Sequence, residues 1–401
     1  MLEKAEIHNS QQTFYTQNKY LSIHTAISLF QYPTIFLCMK IAIISHLKYP
    51  IREPFAGGLE MHTHALADGL IRRGHQVQVF ATSDSDKCLN LGPMNLSALS
   101  YEGTREFEPH TEEFSEQFVR EHHAYLNLML RLADEKFDII QNNSLNYLPL
   151  SMARTLPTPM VTTLHTPPFS WLQSAVLCER AHPCVSYVTV SQQNARLWSD
   201  YLDDCPVIYN GINLGKWRYS PRAEVGTAVW FGRIVPEKGT HLAIEAAHRA
   251  GLRLHLAGPV CDQRYYDEEV LPRLTNSDTY HGHLRHHELI DLIGMSSVFL
   301  CTPCWEEPYG LVVAEALACG TPVAAFRRGA LPEIVDINTG RFARPDDIDS
   351  LAEAAREAAA LKRMDCRLRA EQVASMDRMV DQYVDLYTEL THPISLACQA
   401  G

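Results

Sequence analysis

The 401-residue sequence has no apolar run long enough to span a bilayer. Its most apolar early stretch, Thr34 to Leu47, is too short for a bilayer and carries Lys40, so it is read as a buried strand. Nor does it open with a basic segment followed by an apolar core: Glu3 and Glu6 stand there instead, and no export or organellar signal is expected. Positive charge is not in excess. A formal net charge of -12 argues against a general polyanion binder, so nucleic acid is not an expected partner, although local basic spots remain available to phosphates. A disulfide framework is missing too, because the eleven cysteines are scattered without a repeating frame. Reduced thiols and a cytoplasmic location are expected. No internal repeat or low-complexity run is present.

The length exceeds what one hydrophobic core usually holds, and 46% hydrophobic content is ordinary for a globular chain, so two domains are predicted. Residues 1–38 are polar and mixed, and read as an N-terminal extension. Apolar or β-branched runs then recur at Lys40–Ser45, Gln76–Thr82, Asp138–Asn142, Met160–His165 and Tyr187–Ser191, with helical periodicity between them. After an irregular stretch from Cys205 to Pro221 they resume at Ala228–Arg233, Leu252–Gly258, Thr279–Gly282, Val298–Thr302 and Pro322–Phe326. This alternation predicts an α/β fold of two Rossmann-like domains, 39–212 and 213–375, facing each other across a cleft. A last helical stretch runs from about Ala370 to Thr391, with no strand after it. Ligands of open parallel sheets sit beyond the carboxyl ends of the strands, so chemistry is sought just after each strand.

Four such places carry it. After Val298–Thr302, the string Trp305-Glu306-Glu307-Pro308-Tyr309-Gly310-Leu311-Val312-Val313-Ala314-Glu315 reads as a loop entering a helix. The amides of Gly310, Leu311 and Val312 at that helix start would point free donors at a diphosphate. Glu315, about one turn in, would accept from ribose hydroxyls, and Glu307 would reach the sugar. After Ala228–Phe231, Arg233 and Lys238 stand five residues apart on a loop closed by Gly239, a spacing suited to clamping two phosphates and stabilising a leaving group. Gly57-Gly58 precedes a helical run beginning near Met61 and would offer amides from the opposite wall, though a Gly-Gly turn alone is weak evidence. His165 ends a strand on the cleft side, where it would bond a sugar hydroxyl or orient the acceptor. Taken singly, each of these is more often a solvated charge or a satisfied structural residue. Together they point to one site.

These strings resemble glycosyltransferase family 4, the retaining enzymes of GT-B fold. The resemblance covers Met39 to the C-terminal helix. It rests on Glu307 and Glu315 at the E-x7-E spacing, the Gly-Arg…Glu-Lys-Gly loop, Gly57-Gly58, His165, and Val207-Ile208-Tyr209-Asn210-Gly211-Ile212-Asn213, which is similar to the family's linker. It implies that His165, Glu307, Arg233 and Lys238 form the catalytic set. The donor would be held by Gly57, Gly58, Arg233, Lys238, Glu307, Tyr309, Gly310, Leu311, Val312 and Glu315. It further implies that the last helix, about 376–395, packs back onto the first domain. One departure stands at Arg328, where the family often has a second glycine, which puts the shape of that loop in question.

The expected reaction moves a hexose from a nucleotide diphosphate sugar, UDP-glucose favoured, onto a glycan, a lipid-linked or a small-molecule acceptor. Two rivals share the architecture: a nucleotide-sugar isomerase (epimerase) and a non-catalytic nucleotide-sugar binding protein. No essential metal or cofactor is expected, and a peripheral membrane contact stays open. Three signals are set aside. Cys301-Thr302-Pro303-Cys304 has redox-motif spacing without a thioredoxin-like pattern. His281, His283, His286 and His287 lack companion ligands at a zinc spacing. Asp84-Ser85-Asp86 follows a first-domain strand, away from the donor residues.

Overall fold

Ile41 to Ile44 form an unbroken apolar run because the strand they make is paired along both edges and covered on both faces. The computed structural model describes residues 38–94, 96 and 116–391. Residues 1–37 of the expected extension and positions 392–395 of the last helix lie outside the described residues.

The first sheet comprises β1 (Lys40–Ile44), β2 (Gln76–Ala81), β3 (Leu91–Pro93), β4 (Ile139–Asn142), β5 (Met160–Leu164) and β6 (Val185–Thr189), all parallel, in the order β3-β2-β1-β4-β5-β6. The second comprises β7 (Glu224–Phe231), β8 (Arg253–Ala257), β9 (Thr279–Tyr280), β10 (Ser296–Cys301), β11 (Val323–Phe326) and β12 (Gly340–Ala343), in the order β12-β11-β10-β7-β8-β9. Each half starts at the middle of its sheet and winds outward both ways, so each has one switch point: between β1 and β4, and between β7 and β10.

Helices α1 (Gly58–Arg72), α2 (Glu116–Asp134), α3 (Tyr147–Met152), α4 (Ser170–Arg180) and α5 (Gln192–Trp198) accompany the first sheet. The second has α6 (Thr240–Ala250), α7 (His286–Met295), α8 (Leu311–Ala318), α9 (Ile348–Ala358) and α10 (Arg363–Val373). Helix α1 begins three residues earlier than the sequence suggested, with the glycines forming its start.

The predicted helical stretch 370–391 is divided in the structure. Helix α10 packs on α8, and its Arg367 guanidinium donates to Ala318 O at 3.0 Å near the end of that helix. The chain then breaks at Ala374–Ser375, and α11 (Met376–Thr391) lies on the first domain. The break has a local cause: Ile212 of the linker takes Ala374 O with its N–H (2.9 Å) and gives its own carbonyl to Met376 N (3.2 Å). The two stretches joining the halves therefore run side by side. Met376, Met379, Val380, Tyr383 and Tyr387 form the one buried face of α11, and pack with Leu66, Ala67 and Leu70 of α1. Among the described residues no helix is long and apolar enough to cross a membrane.

Candidate active site

The residues that follow β1, β5, β7 and β8 are His46, His165, Gly232 with Arg233, and Gly258. All of them line a single cleft of about 790 Å³ between the two sheets. The α8 segment from Tyr309 to Val312 and Glu315 lines it as well, as do Gly57, Gly58, Lys238 and Glu307. Every site residue singled out from the sequence thus borders one space.

Two backbone approaches shape its floor. Gly239 adopts φ +63, and a Cβ there would stand 2.1 Å from Thr302 O, so the Lys238 loop lies directly on the turn after β10. Thr302 Oγ1 holds that loop by donating toward the carbonyls of Lys238 (3.0 Å) and Gly239 (2.9 Å). Gly310, at φ +94, is the N-cap of α8. It releases the first amides of that helix toward the cleft, as the anion reading requires.

Lys238 Nζ lies 2.6 Å from Glu307 Oε2, which also accepts from Trp305 Nε1 at 3.1 Å. The ammonium sits 5.2 Å from the centre of the Trp305 ring. Arg233 faces Gly57 across the gap, and a Cβ on Gly58 would stand 2.8 Å from Leu311 Cδ1. The Gly-Gly start of α1 and the start of α8 are therefore opposed at close range, which a larger side chain would prevent. Glu315 is 6% exposed, and burial alone pushes its carboxyl up to about 8. Tyr309 borders the cleft, and its hydroxyl donates to Val373 O at 3.4 Å.

On the first-domain wall, His165 Nε2 is 3.3 Å from Asn143 Oδ1. That oxygen already accepts from Gln141 Nε2 at 2.8 Å, so His165 is the donor and its Nδ1 is left as an acceptor. Burial first, then the neighbouring imidazoles of His62 and His46, holds His165 well below the usual histidine range and keeps it neutral. His62 stacks edge-on against it at 4.6 Å, and burial lowers His62 to about 4.

The sequence reading did not find four residues of this wall. His46 Nε2 and Glu60 Oε1 form a buried pair at 2.6 Å on the cleft wall, and Gln141 with Asn143 holds His165. Their signal was available: Gln141-Asn142-Asn143 puts three amides in a fully buried strand end, and such groups must find partners.

The Arg328 departure leaves the loop tight. The glycine that backs onto Glu307 is Gly329, at φ +56, where a Cβ would be 2.1 Å from Glu307 O. Arg328 braces the loop by bonding Pro303 O at 3.3 Å and pairing with Asp346. Cys301 is buried and Cys304 exposed, both as free thiols. His286 rests on Trp217 and His281 on His255, so the histidine-rich loop disperses its side chains.

Comparison with known proteins agrees with this geometry. A family model described as Glycosyltransferase Family 4 matches residues 56–216, and one described as Glycosyl transferases group 1 matches residues 220–373. Glycogen synthase of Mycobacterium tuberculosis is 27% identical over 360 residues, covering 79% of this chain and 85% of that protein. D-inositol 3-phosphate glycosyltransferase of Mycolicibacterium paratuberculosis is 25% identical over 365 residues, covering 79% and 81%. Among solved structures, the Anabaena protein HepE in complex with UDP-glucose superposes with a TM-score of 0.68 at 17% identity, over 88% of this chain and all of that one. AviGT4, a glycosyltransferase involved in avilamycin A biosynthesis, superposes with a TM-score of 0.65 at 22% identity, over 88% and 98%. With two family models joined end to end along its two sheets, the chain belongs to the family 4 glycosyltransferases of GT-B fold.

Proposed function

We propose that this enzyme is a retaining hexosyltransferase that uses a nucleotide diphosphate sugar, with UDP-glucose as the leading donor. The observation that carries the reading is the convergence of Arg233, Lys238, Glu307 and the open start of α8 on one cleft, with Glu315 buried one turn further along. A diphosphate at the α8 start meets aligned amides and two cations, and the Lys238 ammonium passes from Glu307 to the phosphate. Glu315 accepts from the ribose hydroxyls and the released Glu307 from the sugar. A glucosyl group is supported by the similarity to a glycogen synthase, and UDP as its carrier by the UDP-glucose held in a protein of the same fold.

In this mechanism the bond from the anomeric carbon to the phosphate oxygen breaks as the acceptor oxygen bonds the same carbon from the same face. The acceptor proton passes to the departing phosphate oxygen. Arg233 and Lys238 stabilise the charge that grows there, and the neutral His165 fixes a sugar hydroxyl. No metal is required, since the two cations and the helix start meet the diphosphate.

For the acceptor, a glycan is supported by Phe169 and Trp171, which line the first-domain side of the cleft with Trp171 55% exposed, a platform for a sugar ring. The ten free thiols among the described residues support a reducing, cytoplasmic setting.

The test is a panel of nucleotide sugars scored by thermal shift and by nucleotide release, with and without glycan acceptors. Stabilisation by one UDP-sugar, with UDP release that accelerates on adding acceptor, is expected. Interconversion of sugars without acceptor would assign an isomerase, and tight binding with no release under any acceptor would leave a binding protein.

A further inference from the structure

Beside the cleft, with Glu53 lining both, lies a second hollow bordered by Arg52, Glu53, His64, Asp84 and Asp86 of the first domain and by Lys216 of the second, among others. At its edge His64 Nε2, a carboxylate oxygen of Asp86 and Cys88 Sγ all lie within 4.8 Å of one another. Local structure sets them in place. Asp86 caps the short turn Lys87–Leu89, its Oδ1 accepting from Cys88 N at 3.1 Å, which directs Oδ2 at His64 Nε2, 3.4 Å away. The turn ends at Asn90 in the left-handed conformation, φ 51. His64 stands on α1 with its ring edge-on to Phe55 at 5.3 Å, and its side chain is only 17% exposed.

One nitrogen, one oxygen and one sulfur donor make a set that suits zinc and its neighbours rather than magnesium or calcium, which take oxygen shells. Bonds of about 2.0–2.2 Å to nitrogen and oxygen at a tetrahedral angle place those two atoms about 3.4 Å apart. His64 Nε2 and Asp86 Oδ2, hydrogen-bonded to each other at 3.4 Å, already stand at that separation. An ordinary surface acidic cluster would offer neither the imidazole nor the thiol.

We propose that His64, Asp86 and Cys88 form a binding site for one zinc-class divalent cation, separate from the glycosyl-transfer cleft. Its fourth position opens to the hollow. On binding, the Cys88 S–H bond is broken and the proton leaves to solvent, while the His64 ring proton shifts to Nδ1 so that Nε2 can coordinate. The ion ties the loop after β2 to α1, the helix whose first residues form the cleft wall.

The test is titration of the metal-stripped full-length chain with Co²⁺, in a non-thiol reductant, following the thiolate-to-cobalt charge-transfer absorption, with Zn²⁺ as competitor. One equivalent of Co²⁺ binding with that absorption, displaced by Zn²⁺, is expected. Cys88→Ser abolishes the band, and His64→Ala weakens binding by at least the roughly 10-fold seen on losing a supporting partner. Cys178→Ser, an exposed thiol on α4, leaves the band unchanged. Cys88 is exposed, so its variant folds, and melting without metal verifies this. Absence of the band in the parent chain, or its survival in Cys88→Ser, overturns the proposal.

Discussion

The hydroxyl of Tyr387 donates to Gln141 Oε1 at 2.8 Å, joining the last described helix to a strand end 246 positions earlier in the chain. Gln141 passes the connection on through Nε2 to Asn143 Oδ1, and Asn143 accepts from His165. The final helix is thereby linked by three buried bonds to an imidazole on the cleft wall. Tyr383 adds a parallel bond to Thr163 at 2.9 Å.

Replacing Tyr387 with Phe keeps the ring and strands a buried amide oxygen, at a cost of about 1–3 kcal/mol. A lower melting temperature is expected, together with a fall in kcat at unchanged donor KM, because Gln141, which orients the Asn143 amide that accepts from His165, loses one of its anchors. A variant that melts lower but turns over normally would confine Tyr387 to packing.

Glu315 gives a pH signature. Burial pushes its folded carboxyl up to about 8 from an ordinary value of 4.5, so between these values the folded chain holds a proton that the unfolded chain has released. Stability from this group is therefore complete below about pH 4.5 and is lost as pH rises toward 8. Glu315→Gln cannot ionise: melting curves are expected to coincide with the parent near pH 5 and to exceed it near pH 8. The same variant is expected to bind nucleotide about 10- to 100-fold more weakly, from the loss of charge-assisted bonds of about 1.5–3 kcal/mol. Equal pH slopes in the two chains would show that Glu315 is not the titrating group.

Much of the site was legible because the α/β plan puts chemistry after strands, and the post-strand residues His165, Arg233 and the Glu307 loop all meet in one cleft. What escaped was set by distant partners. Strands β3 and β12 are short edge strands whose residues, Leu91-Gly92-Pro93 and Gly340-Arg341-Phe342-Ala343, carry the glycine and proline that read as turn. The break at Ala374–Ser375 depends on backbone bonds from Ile212, and no local propensity announces it. The His46–Glu60 pair belongs to the same class, since neither residue reveals its partner by spacing.

Lys238→Ala tests the leaving-group role. The ammonium contacts Glu307 and Trp305, so its loss removes a cation and leaves Glu307 with the indole N–H alone. A drop in kcat of roughly 10²–10³-fold is expected, by analogy with removing one preorganised charge-stabilising group. Donor KM should change much less, because the α8 amides and Arg233 still hold the diphosphate. A near-normal rate would remove Lys238 from the clamp.

Trp171 separates acceptor recognition from donor chemistry. It lies on α4 with its ring edge-on to Phe118 at 5.2 Å and its outer face open, so truncation removes little buried surface and melting should be nearly unchanged. Loss of one ring-stacking contact, about 0.5–1.5 kcal/mol, corresponds to a rise of roughly 2- to 12-fold in acceptor KM for Trp171→Ala. Donor affinity and any release of nucleotide to water should stay at parental values, because Arg233, Lys238 and Glu315 belong to the other domain. Acceptor-dependent turnover is therefore the readout that moves. If donor binding fell in step with acceptor use, Trp171 would be acting on the cleft as a whole, and the sugar platform would have to be sought elsewhere on the first-domain wall.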